Sequence, residues 1–379
     1  MSTYKALVKS SPSSPLVLQT LPLPTSPPPP GTIYIHPLYT NLTSYARAAA
    51  NNAYSYPVSY PFVPGHCCVA RVSAVPADAV SLKPGDLVWV DSVVTARDDP
   101  SAQFLLGFFG GASNAAQGLM RDVWRDGCFA EHVAVPLENC FVLPGELFEG
   151  GRGHAVRDMA ALSFLLVGYA GLEEAGVGAG TTVIVAPATG KYSGGAVLVA
   201  LAMGAKVVAA SRSAEKLKLL EQFPGAVERL FTVELKGSVD ADAAALLAAT
   251  GGKGAHVFMD VSPPAASGPD TPTHFTAALR ALRRNARVVL SGGIQSDISF
   301  NYIEAMIRNL TVKGKFMYER EHVQRMIEMI ENGNLVLGER AGLTVKGVFG
   351  LRDFEKALEV EGTSEWWGED VLLAPCANK

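Results

Sequence analysis

The sequence predicts an α/β protein of two domains, a small β-rich domain and a doubly wound parallel sheet. Three observations predict it. From about residue 160 short β-branched runs alternate with helix-length apolar stretches, the order that builds right-handed parallel crossovers. Between residues 60 and 145 short strands are broken by Gly, Pro and Asp, as in an antiparallel β-domain. The chain has 379 residues, 48% of them hydrophobic and 18% charged, more than a single core of ordinary size accommodates.

Along the chain, LPLPTSPPPPG (Leu21 to Gly31) has the composition of a linker, but the alternating segment Thr32 to Pro37 follows directly and favours a rigid lead-in to a strand. Strands follow at Cys67 to Val75, Leu87 to Val90 and Phe129 to Val135, with KPGD (Lys83 to Asp86) as a turn. Gly107 to Gly118, small and poor in charge, reads as a loop or lid. Val183 to Ala186 is a buried strand, a helix starts near Ser193, and Lys206 to Ala210 is the next strand. Asp240 to Thr250 is a helix with an acidic N-cap, His256 to Asp260 a strand, Thr273 to Arg284 a helix and Ala286 to Leu290 a strand. A helix (Glu319 to Glu331), a strand (Leu343 to Phe349), a helix (Asp353 to Val360) and a strand near Val371 can complete the first domain.

Lys and Arg number 32 against 36 Asp and Glu, a net charge of −4, so neither nucleic acid nor an anionic membrane surface is an expected partner. No apolar run reaches the roughly 20 residues of a bilayer span. The N-terminal MSTYKALVKSSPSSP lacks the charged-then-apolar design of a secretory signal, and the expectation is a cytoplasmic protein. Five cysteines (Cys67, Cys68, Cys128, Cys140, Cys376), odd in number and without any CxxC, predict reduced thiols.

The segment TTVIVAPATGKYSGGAVLVALAMGAKVVAASRS carries the chemistry. A strand runs into a turn of small residues and then a helix, where exposed N–H groups and the helix dipole favour a pyrophosphate. Against the GxGxxG pattern, Pro187, Gly190 and Ser193 stand at the glycine places. Ala188, Thr189, Gly190, Lys191, Tyr192 and Ser193 are the expected contacts. At the end of the second strand an acidic residue would select NAD(H). Ser211, Arg212 and Ser213 stand there instead, with Lys216 and Lys218 one turn on, a set suited to the 2′-phosphate of NADP(H). Ser213 also reads as the N-cap of AEKLKLLEQF.

With VPGHCCVARVSAV, LKPGDLVWV, GCFAEHVAVP, the phosphate turn, FMDVS, RVVLSGG and LTVKGKFM in this order, the chain resembles the medium-chain dehydrogenase/reductase family. The resemblance implies a GroES-like catalytic domain built from residues 1–163 and 317–379, and a Rossmann domain from 164–316. It also implies an active site in the cleft and a homodimer. Zinc-dependent members keep GHE, a Cys before it, a second Cys ahead of the Rossmann domain and a four-cysteine lobe. Here GHE is Gly65-His66-Cys67, YTNLTSY and FLLVGYAGL hold no Cys, and the lobe is missing. The chain therefore resembles the zinc-free branch, which includes quinone and enone reductases, and no metal site is expected.

Without a metal, hydride transfer needs a dry pocket and donors aimed at the oxygen where charge develops. The resemblance points to Asn41, Tyr45 and His66 as catalytic candidates, although Asn41 reads equally as a turn cap, Tyr45 as core and His66 as a structural histidine. It brings Tyr169 to the nicotinamide side of an NADP(H) site. Val261, Ser262, Gly292, Gly293 and Ile294 are expected there because they follow the ends of parallel strands, where open α/β sheets bind ligands, although the two glycines read also as a turn. Aromatic residues in AYSYPVSYPF and QFLLGFFGG suggest an apolar pocket. The resulting expectation is an NADPH-dependent, zinc-independent reductase of a conjugated carbonyl, quinone or medium-sized ketone. Its rivals are a zinc alcohol dehydrogenase with unrecognised ligands and a protein that binds NADPH without turnover.

Overall fold

The computed structural model describes residues 2–364 and 366–376. They divide into two compact units, one of residues 2–163, 345–364 and 369–376, the other of 164–344 and 366–368.

The first unit opens with a hairpin that the sequence reading does not anticipate, β1 (Thr3–Lys9) and β2 (Leu16–Pro22), paired antiparallel. The proline lead-in then enters β3 (Thr32–Asn41), longer than expected and buried along most of its length. Pro37 lies where the register with the next strand shifts, the position at which a strand tolerates a missing N–H. A short α1 (Ala46–Ala50) precedes β4 (Cys68–Ala74), β5 (Leu87–Val90), and the pair β6 (Val93–Thr95) and β7 (Gln103–Leu105). The loop expected from Gly107 to Gly118 ends sooner. At Asn114 it becomes α2 (Asn114–Asp122), because Ser113 accepts the Ala116 N–H and caps it. β8 (Val133–Pro136) and β9 (Cys140–Val142) follow.

The second unit begins within α3 (Leu162–Glu174). Its strands and helices alternate: β10 (Thr182–Val185), α4 (Lys191–Ala202), β11 (Lys206–Ser211), α5 (Ala214–Leu219), β12 (Leu230–Glu234), α6 (Val239–Ala249), β13 (Ala255–Asp260), α7 (Thr273–Arg280), β14 (Leu282–Leu290), α8 (Tyr302–Ile307), β15 (Thr311–Gly314) and α9 (Arg320–Glu331). Every pairing is parallel, in the order β12-β11-β10-β13-β14-β15. Both faces are buried, as such a sheet requires. Ile184, Val208, Phe258 and Val288 pack under Leu246 of α6 and Phe275 of α7, and Val183, Val207, Val257 and Val289 are buried on the opposite face.

Three local expectations are corrected here. The cap of α6 is Ser238, whose oxygen accepts the Ala241 N–H, and the expected acidic cap Asp240 lies inside the first turn. The helix α7 stops at Arg280, four residues early, and Leu282 to Asn285 join β14 with Asn285 in the left-handed region (φ 60°). Residues 317–344 belong by their contacts to the second unit. There His322 of α9 stacks edge-on against Tyr169 at 5.7 Å and meets the Glu173 carboxylate at 2.8 Å, while Val323, Met326 and Ile330 bury the helix face.

The chain then completes the first unit with β16 (Thr344–Phe349), α10 (Phe354–Glu361) and β17 (Glu369–Leu373). The sheet there runs β16-β17-β3-β4-β5-β9, with β8 also on β3. Its core gathers Ile33, Ile35, Val88, Val90, Phe104, Val133, Val371 and Leu373. Among the described residues no helix is long and apolar enough to cross a membrane.

Three glycines of the first unit meet backbone to backbone. A Cβ on Gly127 would lie 2.0 Å from the Gly65 oxygen, and one on Gly107 would lie 2.7 Å from the Gly127 Cα. Gly127→Ala is therefore expected to cost about 1–3 kcal/mol or more, since rigid backbone must move to admit the methyl. Gly118, inside α2, meets only the far end of Arg121 at 3.7 Å. Gly118→Ala is expected to stabilise by about 0.5–1 kcal/mol. Urea unfolding of both variants checks the opposite signs.

Candidate functional site

In the parallel-sheet unit the turn after β10 and the start of α4 sit at the point where the strand order reverses, between β10 and β13. Open α/β sheets bind ligands at such a point. Gly190 caps α4, so the helix begins two residues earlier than expected, at Lys191. The i, i+2, i+5 spacing of the three glycine places then falls on Ala188, Gly190 and Ser193, which moves the first place from Pro187 to Ala188. Ala188 is fully buried and ties the turn to β11 through its N–H and the Ala210 carbonyl at 2.9 Å. The Ser193 hydroxyl, where a third glycine would stand, accepts the Gly190 N–H at 2.9 Å. Thr189 shares a 2.9 Å hydrogen bond with Ser211. Lys191 is buried with its ammonium 5.5 Å from the Phe164 ring centre, and Tyr192 meets the same ring edge-on at 5.3 Å.

At the end of β11, Ser211 is buried and Ser213 caps α5 by accepting the Lys216 N–H at 3.2 Å. These two hydroxyls hold the loop. Arg212 is exposed and makes no hydrogen bond or ion pair among the described residues, so its guanidinium is available to an anion. Across the reversal point the ends of β13 and β14 come together. The Gly293 N–H donates to the Ser262 carbonyl at 2.7 Å, and a Cβ on Gly292 would lie 2.6 Å from that same oxygen. The Ser262 hydroxyl donates to Asp260 at 2.6 Å and meets His274 Nε2 at 2.9 Å, a buried network that immobilises this rim. Val261 and Ile294 are half-buried beside it. Tyr169 differs from the rest: it is 5% exposed and packs against His322. The small residues at the turn, the helix start and the free Arg212 fit a dinucleotide.

The β-rich unit holds a cavity with a largely apolar lining. α1, the segment from Asn52 to Phe62, the Gly65-His66 turn and Gly107-Phe108 supply most of its wall. The glycine crossing creates this wall. Gly65, with φ 107°, accepts the Cys128 N–H through its carbonyl and turns His66 toward the cavity. Tyr54, Tyr56, Tyr60, Phe62 and Phe108 line it, so the first aromatic stretch does form a pocket, whereas of the second only Phe108 takes part, Phe104 belonging to the core and Phe109 lying outside the lining.

His66 lies 5.6 Å from the Phe108 ring and has no hydrogen bond among the described residues. Burial lowers its pKa to about 4, leaving a neutral imidazole at neutral pH. Asn41 reaches the cavity wall but is 2% exposed, and its amide is occupied. Its nitrogen donates to the Ala160 carbonyl at 2.8 Å and to Asp370 at 3.2 Å, and its oxygen accepts from Ser163 at 2.9 Å. Ser163 also bonds the Cys67 thiol, whose pKa burial pushes well up. Asn41 is thus a structural node rather than a free donor. Tyr45 precedes α1 and meets Tyr54 edge-on and Phe108 at a tilt, outside the cavity lining. Among the described residues no three His, Cys, Asp or Glu side chains are grouped to hold a metal. Sequence reasoning missed Lys9, which lines the cavity from the end of β1 and carries no motif by which to find it.

Two families match the chain: alcohol dehydrogenase GroES-like domain over residues 35–145, and zinc-binding dehydrogenase over residues 194–332. L-threonine 3-dehydrogenase of Shigella dysenteriae is 27% identical over 286 residues, 73% of this chain and 74% of the relative. The enzyme of the same name from an Enterobacter species is 26% identical over 314 residues, 80% of each. Among solved structures, an alcohol dehydrogenase from Thermotoga maritima has a TM-score of 0.78 at 20% identity, covering 99% of this chain and 100% of that one. A Sinorhizobium meliloti protein bound to NADP has a TM-score of 0.74 at 20% identity, covering 99% and 100%. An Escherichia coli alcohol dehydrogenase complexed with NADH reaches 0.75 at 16% identity, with the same coverage. With a GroES-like unit followed by a parallel dinucleotide-type sheet, the chain belongs to the medium-chain dehydrogenase/reductase family and is an oxidoreductase of that type.

Proposed function

We propose that the protein is an NADP(H)-dependent oxidoreductase that works without zinc on a conjugated carbonyl, quinone or medium-sized ketone. The observation that carries this reading is the state of the residues around His66. Asn41 is hydrogen-bonded to Ser163 and to Asp370, Ser163 also bonds the Cys67 thiol, and burial pushes the pKa of that thiol well up. A Lewis-acidic zinc in a catalytic site needs three protein ligands and an open position. Around His66 the described residues group no three such ligands, and Asn41, Ser163 and Asp370 are joined in a hydrogen-bond network instead.

The dinucleotide, when bound, supplies or takes up the hydride. The Gly190 to Ser193 helix start would hold its pyrophosphate, and Arg212 would answer the 2′-phosphate, with no carboxylate at the end of β11 to repel it. In the β-rich unit the aromatic wall excludes water. Burial raises the pKa of Tyr56 and Tyr60, so both hydroxyls remain protonated and able to donate to a carbonyl oxygen. A conjugated acceptor spreads the developing charge, which lowers the demand on those donors.

The L-threonine 3-dehydrogenase relatives and the match to zinc-binding dehydrogenase favour a second reading, zinc-dependent oxidation of an alcohol. Metal analysis decides between them. After chelator treatment the expected protein holds essentially no zinc and keeps its NADPH-dependent reductase rate, whereas about one zinc per chain, removable with loss of activity, would establish the second reading.

Two further outcomes are expected. Arg212→Ala should weaken NADPH binding by roughly 1.5–3 kcal/mol and leave NADH little changed, read by parallel fluorescence titrations; equal effects on both would remove the 2′-phosphate role. A homodimer forming along the outer edge of β15 is also proposed, because Tyr302, Ile303, Ile307 and Phe316 expose apolar surface beside that strand edge. Light scattering should show a dimer, and Ile307→Asp a monomer.

A further inference from the structure

Lys9 is the last residue of β1, and its backbone is fixed on both sides. Its N–H donates to the Phe62 carbonyl at 2.9 Å, and its carbonyl accepts the Phe62 N–H at 3.1 Å. The residue is 3% exposed, yet its side chain reaches the cavity wall. There Nζ donates to the carbonyls of Ser14 at 2.8 Å and Ala50 at 2.6 Å. An ammonium has three N–H groups, so these two bonds leave one.

No carboxylate among the described residues pairs with Lys9, and it is the one charged side chain in the described cavity lining, His66 being held neutral. A buried cation whose partners are two neutral carbonyls is costly, and burial alone pulls its pKa below the ordinary lysine value. Joining the β1–β2 turn to the end of α1 needs hydrogen-bond donors but no net charge. The uncompensated charge therefore fits a ligand better than a staple.

Resting on the reading that this cavity takes the substrate, we propose that Lys9 anchors a carboxylate on an otherwise apolar substrate, so that the acceptor is an oxo acid rather than a neutral ketone. A single cation matches a single negative charge, whereas a phosphate dianion would remain half-compensated. The aromatic and aliphatic wall, with Leu16, Val58, Phe62 and Phe354, accommodates the carbon chain between the acid and the reacting carbonyl.

The test is calorimetric titration of the full chain with octanoate and with octanamide, ligands of similar shape that differ in charge and require no turnover. Octanoate is expected to bind at least about tenfold more tightly, as a charge-assisted hydrogen bond implies. Lys9→Met should abolish that difference and Lys9→Arg should preserve it. Equal affinities in the unmodified protein, no measurable binding of either ligand, or an octanoate preference that survives Lys9→Met would each overturn the proposal. A structural staple would weaken both ligands alike in Lys9→Met, and this too overturns it. The two titrations of the unmodified protein can overturn the proposal even if Lys9→Met does not fold. A Lys9-dependent octanoate preference in a protein that reduces no carbonyl compound would support the anchor and remove the reading on which its substrate rests.

Discussion

Close approach to a bare backbone, possible only where a side chain is missing, is the constraint on which both units depend. In the β-rich unit the carbonyl of Gly65 lies where a Cβ of Gly127 would be, so the His66 turn, the Gly107-Phe108 turn and the segment leading to β8 converge. Were these segments spread apart, the Gly65 carbonyl would lose the Cys128 N–H and the cavity would lose one side. In the parallel-sheet unit Gly194 and Gly195 admit a side chain, Trp367, against the bare helix backbone. A Cβ on Gly194 would fall 2.3 Å from the Cβ of Trp367, which packs over the first turns of α4 and donates its N–H to the Thr189 carbonyl at 3.2 Å. The turn that would receive a pyrophosphate is thereby braced from behind by a residue far along the chain.

Polarity is distributed unevenly around the cavity, and the distribution sets its chemistry. Polar atoms at Asn41, Ser163, Cys67 and Asp370 satisfy each other in a buried network, as groups removed from water must. His66 instead faces aromatic carbon and is kept neutral by it. Lys9 brings the charge, at a wall otherwise made of aromatic rings, aliphatic side chains and neutral polar groups. In such surroundings one ammonium acts on a bound anion far more strongly than it would in water.

Much of the site was legible because its signals are local. The rhythm of strands and helices from residue 160, the small residues before α4, and Ser213 as a cap each follow from neighbouring residues, and the structure places them together at one end of the parallel sheet. Roles that depend on distant partners were less legible. Asn41 stands in a segment that suggests a polar contact to substrate, but its amide is claimed by Ala160, Ser163 and Asp370, up to 329 residues away. Tyr169 is likewise claimed by His322. The α2 helix was hidden because the glycines at 107, 110, 111 and 118 give the segment the look of a loop, although Ala115, Ala116, Leu119 and Met120 favour helix, and the cap at Ser113 and the burial of Met120 decide it.

The sequence by itself determined the two-domain α/β architecture, the nicotinamide-type turn, the Ser211-Arg212-Ser213 set and the departure from the zinc ligand pattern. These reside in residue type and short spacing, which period, capping and charge rules read directly. Only the tertiary structure decided that His66 is neutral, that Asn41 is spent on the scaffold, and that Lys9 meets the tyrosines across a cavity. Burial and pairing depend on which segments the fold brings together, and a lysine closing an ordinary strand carries no mark of the carbonyls that will surround it.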